Sequence, residues 1–523
     1  MKCTDLLERL DYDVLSGDTG VEIKRICYDS RKVKPGDLFL CISGANFDAH
    51  TRVDEVASNG AAAILVEREV PVPKDFPGAL IQVRDTRVAL AYVSAAWFGY
   101  PAEKLRTIGV TGTKGKTSTT YMIRDILESV GVRCGLIGTI ETIVGTERKA
   151  NLNTTPESYE IQEAFARMVD AHVEAVVMEV SSQGLMLHRT DGILFDYACF
   201  TNLSPDHIGP NEHKDFDDYK RCKALLFHQC KNGIFNADDP YCEEMMKDTD
   251  CIRETYGIDH EADYRAGDIE LFVGNGFLGT RYRMSGRAEL DAELSVPGRF
   301  SVYNSLLAAA VGLHFTRNLK RIREALKNVR VRGRAEIIPV KDIYTVMIDY
   351  AHNAVALESL LKTIREYHPK RIVTLFGCGG NRDRNRRFEM GEVSARLSDL
   401  TIVTSDNPRK EDPEAIIDDI LVGVKKAGTS EMQGRAEGTL TSSSEVAQSR
   451  DGLPASEMQG RYIRITDRRE AIRYALENGQ EGDVIILAGK GHEDYQEING
   501  KKYPMDERVI IREIKKSWNS ADK

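Results

Sequence analysis

From Leu105 onward the chain repeats one pattern: a short apolar run ends in a polar or glycine-rich loop, and an amphipathic stretch follows. RTIGV leads into TGTKGKT, and the next segment carries Met122, Ile123, Ile126, Leu127 and Val130 at helical spacing. EAVVMEV, ending near Val180, and DYACFTN, ending near Asn202, are further apolar runs of strand length separated by helical segments. This predicts an α/β fold with a mostly parallel sheet. Beyond Val331, IYTVMIDY, RIVTLFG, LTIVTSD and VIILAG predict four buried strands, each running into a loop rich in Gly, Asp, Asn or His. In open parallel sheets ligands bind beyond the carboxyl ends of the strands, so these loops are expected to form one side of a site. The first hundred residues mix short β-like runs (38–42, 62–66, 79–83) with helical stretches and close on the turn Gly99-Tyr100-Pro101. Three domains follow from these shifts: 1–103, 104–330 and 331–523.

Residues 427–461 break the pattern. They are poor in apolar residues and contain SEMQGR twice, at 430–435 and 456–461. A 26-residue duplication without hydrophobic periodicity predicts a flexible surface insertion with no catalytic part.

Composition narrows the function. Of 523 residues 71 are basic and 81 acidic, a net charge of -10, so no global positive field exists to hold nucleic acid and small-molecule substrates are expected. The amino terminus, MKCTDLLERLDYD, lacks an apolar signal region, and no window approaches the length of a spanning helix, which predicts a cytoplasmic protein without a membrane span. No two of the ten cysteines have CxxC spacing, so they are expected to be free thiols packed as small hydrophobes.

The strongest chemical signal is GVTGTKGKTSTT, 109–120. It follows a strand, opens a helix and ends in Gly-Lys-Thr. Glycines at 109, 112 and 115 let the backbone turn its N–H groups toward phosphate oxygens, Lys116 reaches the outer phosphates of ATP, and Thr117 is placed to ligate Mg²⁺. The usual spacing of such a loop calls for glycine at 110, where this chain has Val110. MEVSSQGL sets Glu179 at the end of a buried strand, as a metal ligand or a capping carboxylate. FTNLSPDHIG ends another strand and offers His207, with Asp206 as a group that orients it.

TGTKGKTSTT, together with these and the following segments, resembles the Mur ligases, ATP-dependent amide-forming enzymes of peptidoglycan precursor synthesis. The resemblance covers nearly the whole chain apart from 427–461. It implies an N-terminal uridine-binding domain, a central P-loop ATPase domain and a C-terminal Rossmann-like domain for the incoming amino acid. By this resemblance Glu179 and His207 hold Mg²⁺, and Tyr219, Lys223 and Phe227 of DYKRCKALLF match a pattern whose lysine is carbamylated. A carbamate requires a neutral amine, so burial is expected to depress the Lys223 pKa. The ATP site is expected at Gly112, Thr113, Lys114, Gly115, Lys116, Thr117 and Ser118, with Asn304 at a helix start, Arg334 toward the γ-phosphate, and Asp349, His352 and Asn353 of DYAHN toward adenine and ribose. Ser30, Thr154, Thr155, Ser182 and Arg189 are expected to contact the UDP-muramoyl peptide, while His50 stays unassigned.

The C-terminal loops GCGGNRDRNRR, SDNPRKEDP and GKGHEDYQ resemble those of the family members that extend UDP-MurNAc-L-Ala-D-Glu with meso-2,6-diaminopimelate. Diaminopimelate carries a distal carboxylate that lysine lacks, and Arg409 of DNPR suits a bidentate pair with it. Arg382, Asp406, Asn407, Pro408, Gly489 and Glu493 complete the expected pocket, and Asn381 stands where the family commonly has Asp, which bears on how Arg382 is held. The mechanism implied is an acyl phosphate formed from the D-Glu carboxylate and ATP, then attacked by the amine, in a protein expected to be a monomer. Two alternatives remain at this point: lysine as the added amino acid, or a folylpolyglutamate synthase, which shares the glycine loop and the lysine but lacks DNPR.

Overall fold

The computed structural model describes residues 1–521 except 45–46, 74, 210–211, 275 and 432–460. The chain divides into two compact units. One holds Met1–Gly267, Met284–Leu290 and Tyr303–Leu326; the other holds Asp268–Arg283, Asp291–Val302 and Lys327–Lys523.

In the first unit, the amino-terminal residues form a five-stranded sheet. Tyr12–Ser16 pairs antiparallel with Ala79–Val83, and Ala63–Val66, Asp37–Leu40 and Arg25–Cys27 follow in parallel. The strands expected at 38–42, 62–66 and 79–83 are these three, within two residues at each end.

The same unit then contributes six parallel strands in the order Ile252–Gly257, Cys230–Asn236, Phe195–Phe200, Arg106–Thr111, Ala175–Glu179 and Cys134–Ile137. Apart from Ile252, their apolar side chains are buried on both faces, as in a parallel sheet covered by helices. Arg106–Thr111 is central and first in sequence. The chain leaves it toward one side for Cys134–Ile137 and later returns to its other side with Phe195–Phe200. That reversal creates a crevice at its carboxyl end, where such sheets bind ligands. The helix Lys116–Ser129 starts there and buries Met122, Ile123, Ile126 and Leu127, as the spacing predicts.

In the second unit the sheet order is Glu336–Lys341, Tyr344–Asp349, Asp483–Ala488, Arg371–Phe376, Leu400–Val403, Arg461–Arg464 and Ser430–Glu431. The first pair is antiparallel and every other pair parallel. All four strands expected beyond Val331 are present.

Part of the expected insertion is regular structure. The helix Pro413–Lys426 is capped at Ala427, and Ser430–Glu431 pairs in parallel with Arg461–Tyr462 at the sheet edge. The remainder, 432–460, lies outside the described residues. All ten cysteines are buried and free, as their spacing implied.

Candidate functional site

The glycine loop departs from the carboxyl end of the central strand, and its two sharpest bends need glycine. Gly112 stands at φ +141°, and a Cβ there would lie 1.9 Å from Thr201 Oγ1. Gly115 stands at φ +87°, with the Asn304 Oδ1 atom 2.5 Å from where a Cβ would be. Asn304 is buried against the loop, in the second turn of the helix Arg299–Leu313 and so beyond its expected place at the helix start.

The loop's hydrogen bonds divide the expected nucleotide contacts. The backbone N–H groups of Thr113 and Lys114 donate to the O and Oδ1 of Asn202, at 2.8 and 3.0 Å. The Thr113 hydroxyl is held between Ser204 and the Tyr219 hydroxyl. These two N–H groups, expected to face phosphate, are therefore bonded to a neighbouring strand end. The helix Lys116–Ser129 that follows presents its amino-terminal end here, the end of a helix that favours an anion. Lys116 Nζ donates to Gly112 O at 2.7 Å and Thr113 O at 3.1 Å, folded back over the loop it would bridge to phosphate.

Glu179 closes the next strand and is 1% exposed. Its carboxylate accepts from Thr117 Oγ1 at 2.9 Å, from the Thr139 N–H at 2.7 Å and from Thr139 Oγ1 at 3.0 Å. Gly138 leaves the room this requires, since a Cβ there would lie 2.4 Å from Glu179 Oε1. A buried carboxylate and a threonine hydroxyl at a helix entry are hard oxygen donors, and they fit Mg²⁺.

The other two expected metal ligands have partners of their own. His207 is exposed, and its Nδ1 pairs at 3.0 Å with Glu212 Oε1; Asp206, expected to orient the ring, instead accepts from the His207 backbone N–H. Lys223 is fully buried, its Nζ 2.8 Å from Gly112 O and 4.6 Å from the centroid of the Tyr219 ring. Burial, reinforced by Lys116, holds its amine well below the usual lysine range. The one cluster of His, Cys and acidic side chains with metal-like spacing among the described residues is His213, Asp218 and Cys222. Asp218 there already accepts from Arg221 at 2.6 Å and faces His213 Nδ1 at 3.1 Å, at the start of the helix Phe216–Ala224, while the buried His213 Nε2 has no partner among the described residues.

A hydrogen-bonded chain joins this centre to the segment NTTPES. Thr139 Oγ1 lies 3.1 Å from Thr154 Oγ1. Thr155 is fully buried, donates to Glu179 O at 2.9 Å and accepts from the Ser181 N–H at 2.9 Å. Arg189 donates to Thr155 O and forms an ion pair with Glu157 at 2.6 Å. Ser182 opens the short helix behind Ser181 and is buried. Ser30, also buried, starts a 3₁₀ turn capped by Asp29 in the amino-terminal sheet region. Thr139 escaped the sequence reading; the signal that could have found it is GLIGT, another buried strand running into a Gly-Thr loop.

In the second unit the loops beyond four adjacent strands carry the remaining candidates, with Arg334 just before the sheet begins. Asp349 accepts from the N–H groups of Ala335 and Ala351 at 2.7 and 2.8 Å, and burial raises its carboxyl pKa. His352 Nδ1 meets Tyr350 O at 2.8 Å, and Asn353 caps the helix Ala354–Arg365. Asn353 is thus committed to a cap. The Arg334 guanidinium lies over the Tyr350 ring, 4.8 Å from its centroid, and its Nε is buried without an acceptor.

The expected amino-acid pocket is more tightly knit. Asn407 is buried and donates from Nδ2 to Glu493 at 2.9 Å, while its Oδ1 accepts from Lys490 Nζ at 3.2 Å and the Glu497 N–H at 2.9 Å. Asp406 is also buried, close to Gly489, where φ is +106°. Pro408 places its carbonyl against Gly380, where a Cβ would lie 2.0 Å from it. Arg409 stands at φ +53°, a left-handed conformation costing an arginine about 1 to 3 kcal/mol. It is fixed by backbone bonds to Glu497 O at 2.9 Å and from Asn499 N at 2.6 Å. Its side chain donates to Gly380 O at 2.7 Å and meets Glu497 at 3.3 Å. Asn381 accepts from the Lys410 N–H and its own N–H bonds Glu411, so it ties its loop to the one after DNPR, while Arg382 is exposed.

Comparison with known proteins accounts for these loops. Three family profiles match: Mur ligase family, catalytic domain, over 22–97; Mur ligase middle domain over 110–312; and Mur ligase, glutamate ligase domain, over 333–491. The UDP-N-acetylmuramoyl-L-alanyl-D-glutamate--2,6-diaminopimelate ligase of Caldanaerobacter subterraneus is 40% identical over 98% of this chain and 99% of its own. The protein of the same name from Clostridium perfringens is 37% identical over 97% and 98%. A solved structure of a 2,6-diaminopimelate ligase of that name aligns with a TM-score of 0.68 at 26% identity over 99% of both chains. A Mycobacterium tuberculosis folylpolyglutamate synthase aligns at 0.57 and 18% over 77% of this chain and 92% of its own, a likeness of fold alone. With matched segments spanning both units, and the glycine loop, the buried strand-end glutamate and the DNPR loop each lying within them, the chain belongs to the Mur ligase family.

Proposed function

We propose that this protein is an ATP-dependent ligase that adds meso-2,6-diaminopimelate to UDP-MurNAc-L-Ala-D-Glu in peptidoglycan precursor synthesis, a reaction of the cytoplasm, where ATP and UDP-linked precursors are found. The observation that carries it is the full-length identity to proteins of that name together with Arg409 held in a strained, doubly bonded loop beside Asn407 and Glu493.

The first half-reaction transfers the γ-phosphoryl group of ATP to the D-Glu carboxylate, forming an acyl phosphate. The amine of the amino acid then attacks the acyl carbon, and phosphate leaves. Lys116 and the amide groups at the helix entry take the phosphate charge, a task of positioning and electrostatics. Mg²⁺, when bound, neutralises charge on the transferring phosphoryl group; Thr117 and Glu179 would hold it. Lys223 is the carbamylation site in this reading. Its burial and depressed basicity favour the neutral amine that must attack CO₂, and the product, with one proton released to solvent, would replace a neutral amine beside the loop with an anionic oxygen pair. In the amino-acid pocket Glu493 and Asp406 face an ammonium, and Arg409 faces the distal carboxylate.

The test is phosphate release with ATP, Mg²⁺ and UDP-MurNAc-L-Ala-D-Glu and a panel of amino acids. Turnover with meso-diaminopimelate and little with lysine is expected. Turnover with lysine alone refutes the assignment of the amino acid, and absence of turnover with every member refutes the reaction.

A further inference from the structure

Lys490 has a place in the second unit that no expectation gave it. Its side chain is 0% exposed, at the carboxyl end of the buried strand Asp483–Ala488. Leaving an amino group so enclosed is costly unless every proton finds an acceptor. Here Nζ lies 3.2 Å from Asn407 Oδ1, 3.1 Å from Glu493 Oε2 and 3.9 Å from Asp406 Oδ1. Asn407 Nδ2 in turn donates to the same Glu493 oxygen at 2.9 Å, which closes a triangle of three side chains from two loops.

We propose that Lys490 is a positioning residue for the amino-acid pocket. It fixes the end of the Asn407 amide that points at Glu493, because Oδ1 is claimed by Nζ and by the Glu497 N–H, which leaves Nδ2 for the glutamate. It also holds the Glu493 carboxylate against the DNPR loop. Without it the Asn407 amide keeps only the Glu497 N–H on its Oδ1, and Glu493 loses its charged donor and is released toward solvent with its ammonium-binding oxygens displaced. Lys490 itself has no surface with which to touch a ligand, so its effect is exerted through Asn407 and Glu493. This inference rests on the reading of these loops as the amino-acid pocket.

The test is steady-state kinetics of the full-length enzyme with each of the three substrates varied in turn. Lys490→Met keeps the length and apolar bulk and removes the donors. KM for meso-diaminopimelate is expected to rise on the order of 10- to 100-fold, the range seen when a group that orients a binding residue is lost, with KM for ATP and for the UDP-dipeptide within about threefold of wild type. Lys490→Gln, which restores N–H donors without charge, should recover part of the loss. Glu493→Gln combined with Lys490→Met should cost less than the product of the two single effects, since both act on one carboxylate. An unchanged KM for diaminopimelate in a folded variant overturns the proposal, as does an equal rise in all three KM values. Failure of both Lys490 variants to fold overturns it too, by making the lysine a stabilising pair only. Wild type inactive with every amino acid refutes the ligase reading, a result obtained before any variant is compared.

Discussion

Replacing Glu179 with glutamine separates the chemistry of the ATP centre from the stability of the fold. Glutamine is isosteric, and the three bonds that Glu179 accepts allow it to fit. Its Oε1 can keep the Thr139 N–H, which cannot rotate away, while the hydroxyls of Thr117 and Thr139 turn to accept from Nε2. What is lost is charge assistance, about 1.5 to 3 kcal/mol for a bond to a charged group against about 0.5 to 1.5 for a neutral one, so a net cost of about 1 to 3 kcal/mol is expected. The effect on turnover should be larger. In the proposed role an anionic ligand oxygen for Mg²⁺ disappears, and removal of one such electrostatic contact typically costs about 10²- to 10³-fold in kcat. Two measurements decide the matter: a thermal melt, and phosphate release titrated with Mg²⁺. The expected result is a folded protein with a modestly lower Tm, a collapse of turnover and a weakened Mg²⁺ dependence. A folded variant that turns over within threefold of wild type across the Mg²⁺ titration would show that Glu179 only caps the Thr139 loop.

Four further outcomes follow from other parts of the molecule. Arg409→Ala should lose diaminopimelate turnover by about 2 to 4 kcal/mol in kcat/KM and change lysine use far less; equal loss of both would make the arginine structural. Lys223→Ala should abolish turnover in a folded protein, and mass spectrometry of the intact wild type kept in bicarbonate should detect the added CO₂. His492 is held down to about 4 by burial and by nearby Arg334, Arg332 and Arg508, so the unfolded chain binds its proton first as pH falls; stability should decline between pH 6.5 and 4, by at most about 3 kcal/mol, and the decline should flatten in His492→Gln melts. Deleting 430–455 leaves one SEMQGR copy, whose Ser456-Glu457 stands too close to Arg461 to form a parallel pair, so Tm should drop slightly with the lost edge pairing while kcat is unchanged; loss of kcat in a folded product would refute the insertion reading.

The sheet architecture was legible because parallel strands buried on both faces leave continuous apolar runs, and each run here ended in a polar loop that the structure places at a carboxyl end. Glu179 was legible for the same reason: a carboxylate terminating EAVVM has no solvent to face. Lys490 and Thr139 were not, since a lysine in GKGHE and a threonine after GLIG look like ordinary loop residues until Asn407 and Glu179, acceptors contributed by segments tens of residues away, are seen. His207 shows the opposite limit. Its motif fixed the residue's position in sequence, but the two carboxylates within reach are chemically equivalent in a string of letters, and the ring pairs with Glu212 while the nearer Asp206 takes the backbone N–H.

The residues expected to contact the UDP-muramoyl peptide illustrate how geometry divides one assignment into several roles. Thr155 has no exposed surface, and its hydroxyl already donates to Glu179 O and accepts from the Ser181 N–H. A hydroxyl has one proton, so Thr155 has none left to offer a ligand. Its task is instead to fix the strand end that carries Glu179 and the turn that starts the helix of Ser182. Thr154 differs: Thr139 spends its own proton on Glu179, so the Thr154 hydroxyl donates to Thr139 and keeps its lone pairs for a ligand donor, and any ligand group that pulls it from Thr139 is felt two bonds away at the proposed metal carboxylate. Arg189 is compensated by Glu157 and tied to Thr155 O, which leaves it a smaller share of its charge for an anion than a free guanidinium would have. Of the set, Thr154 is therefore the residue whose substitution should alter binding of the UDP-dipeptide and the Mg²⁺ dependence together.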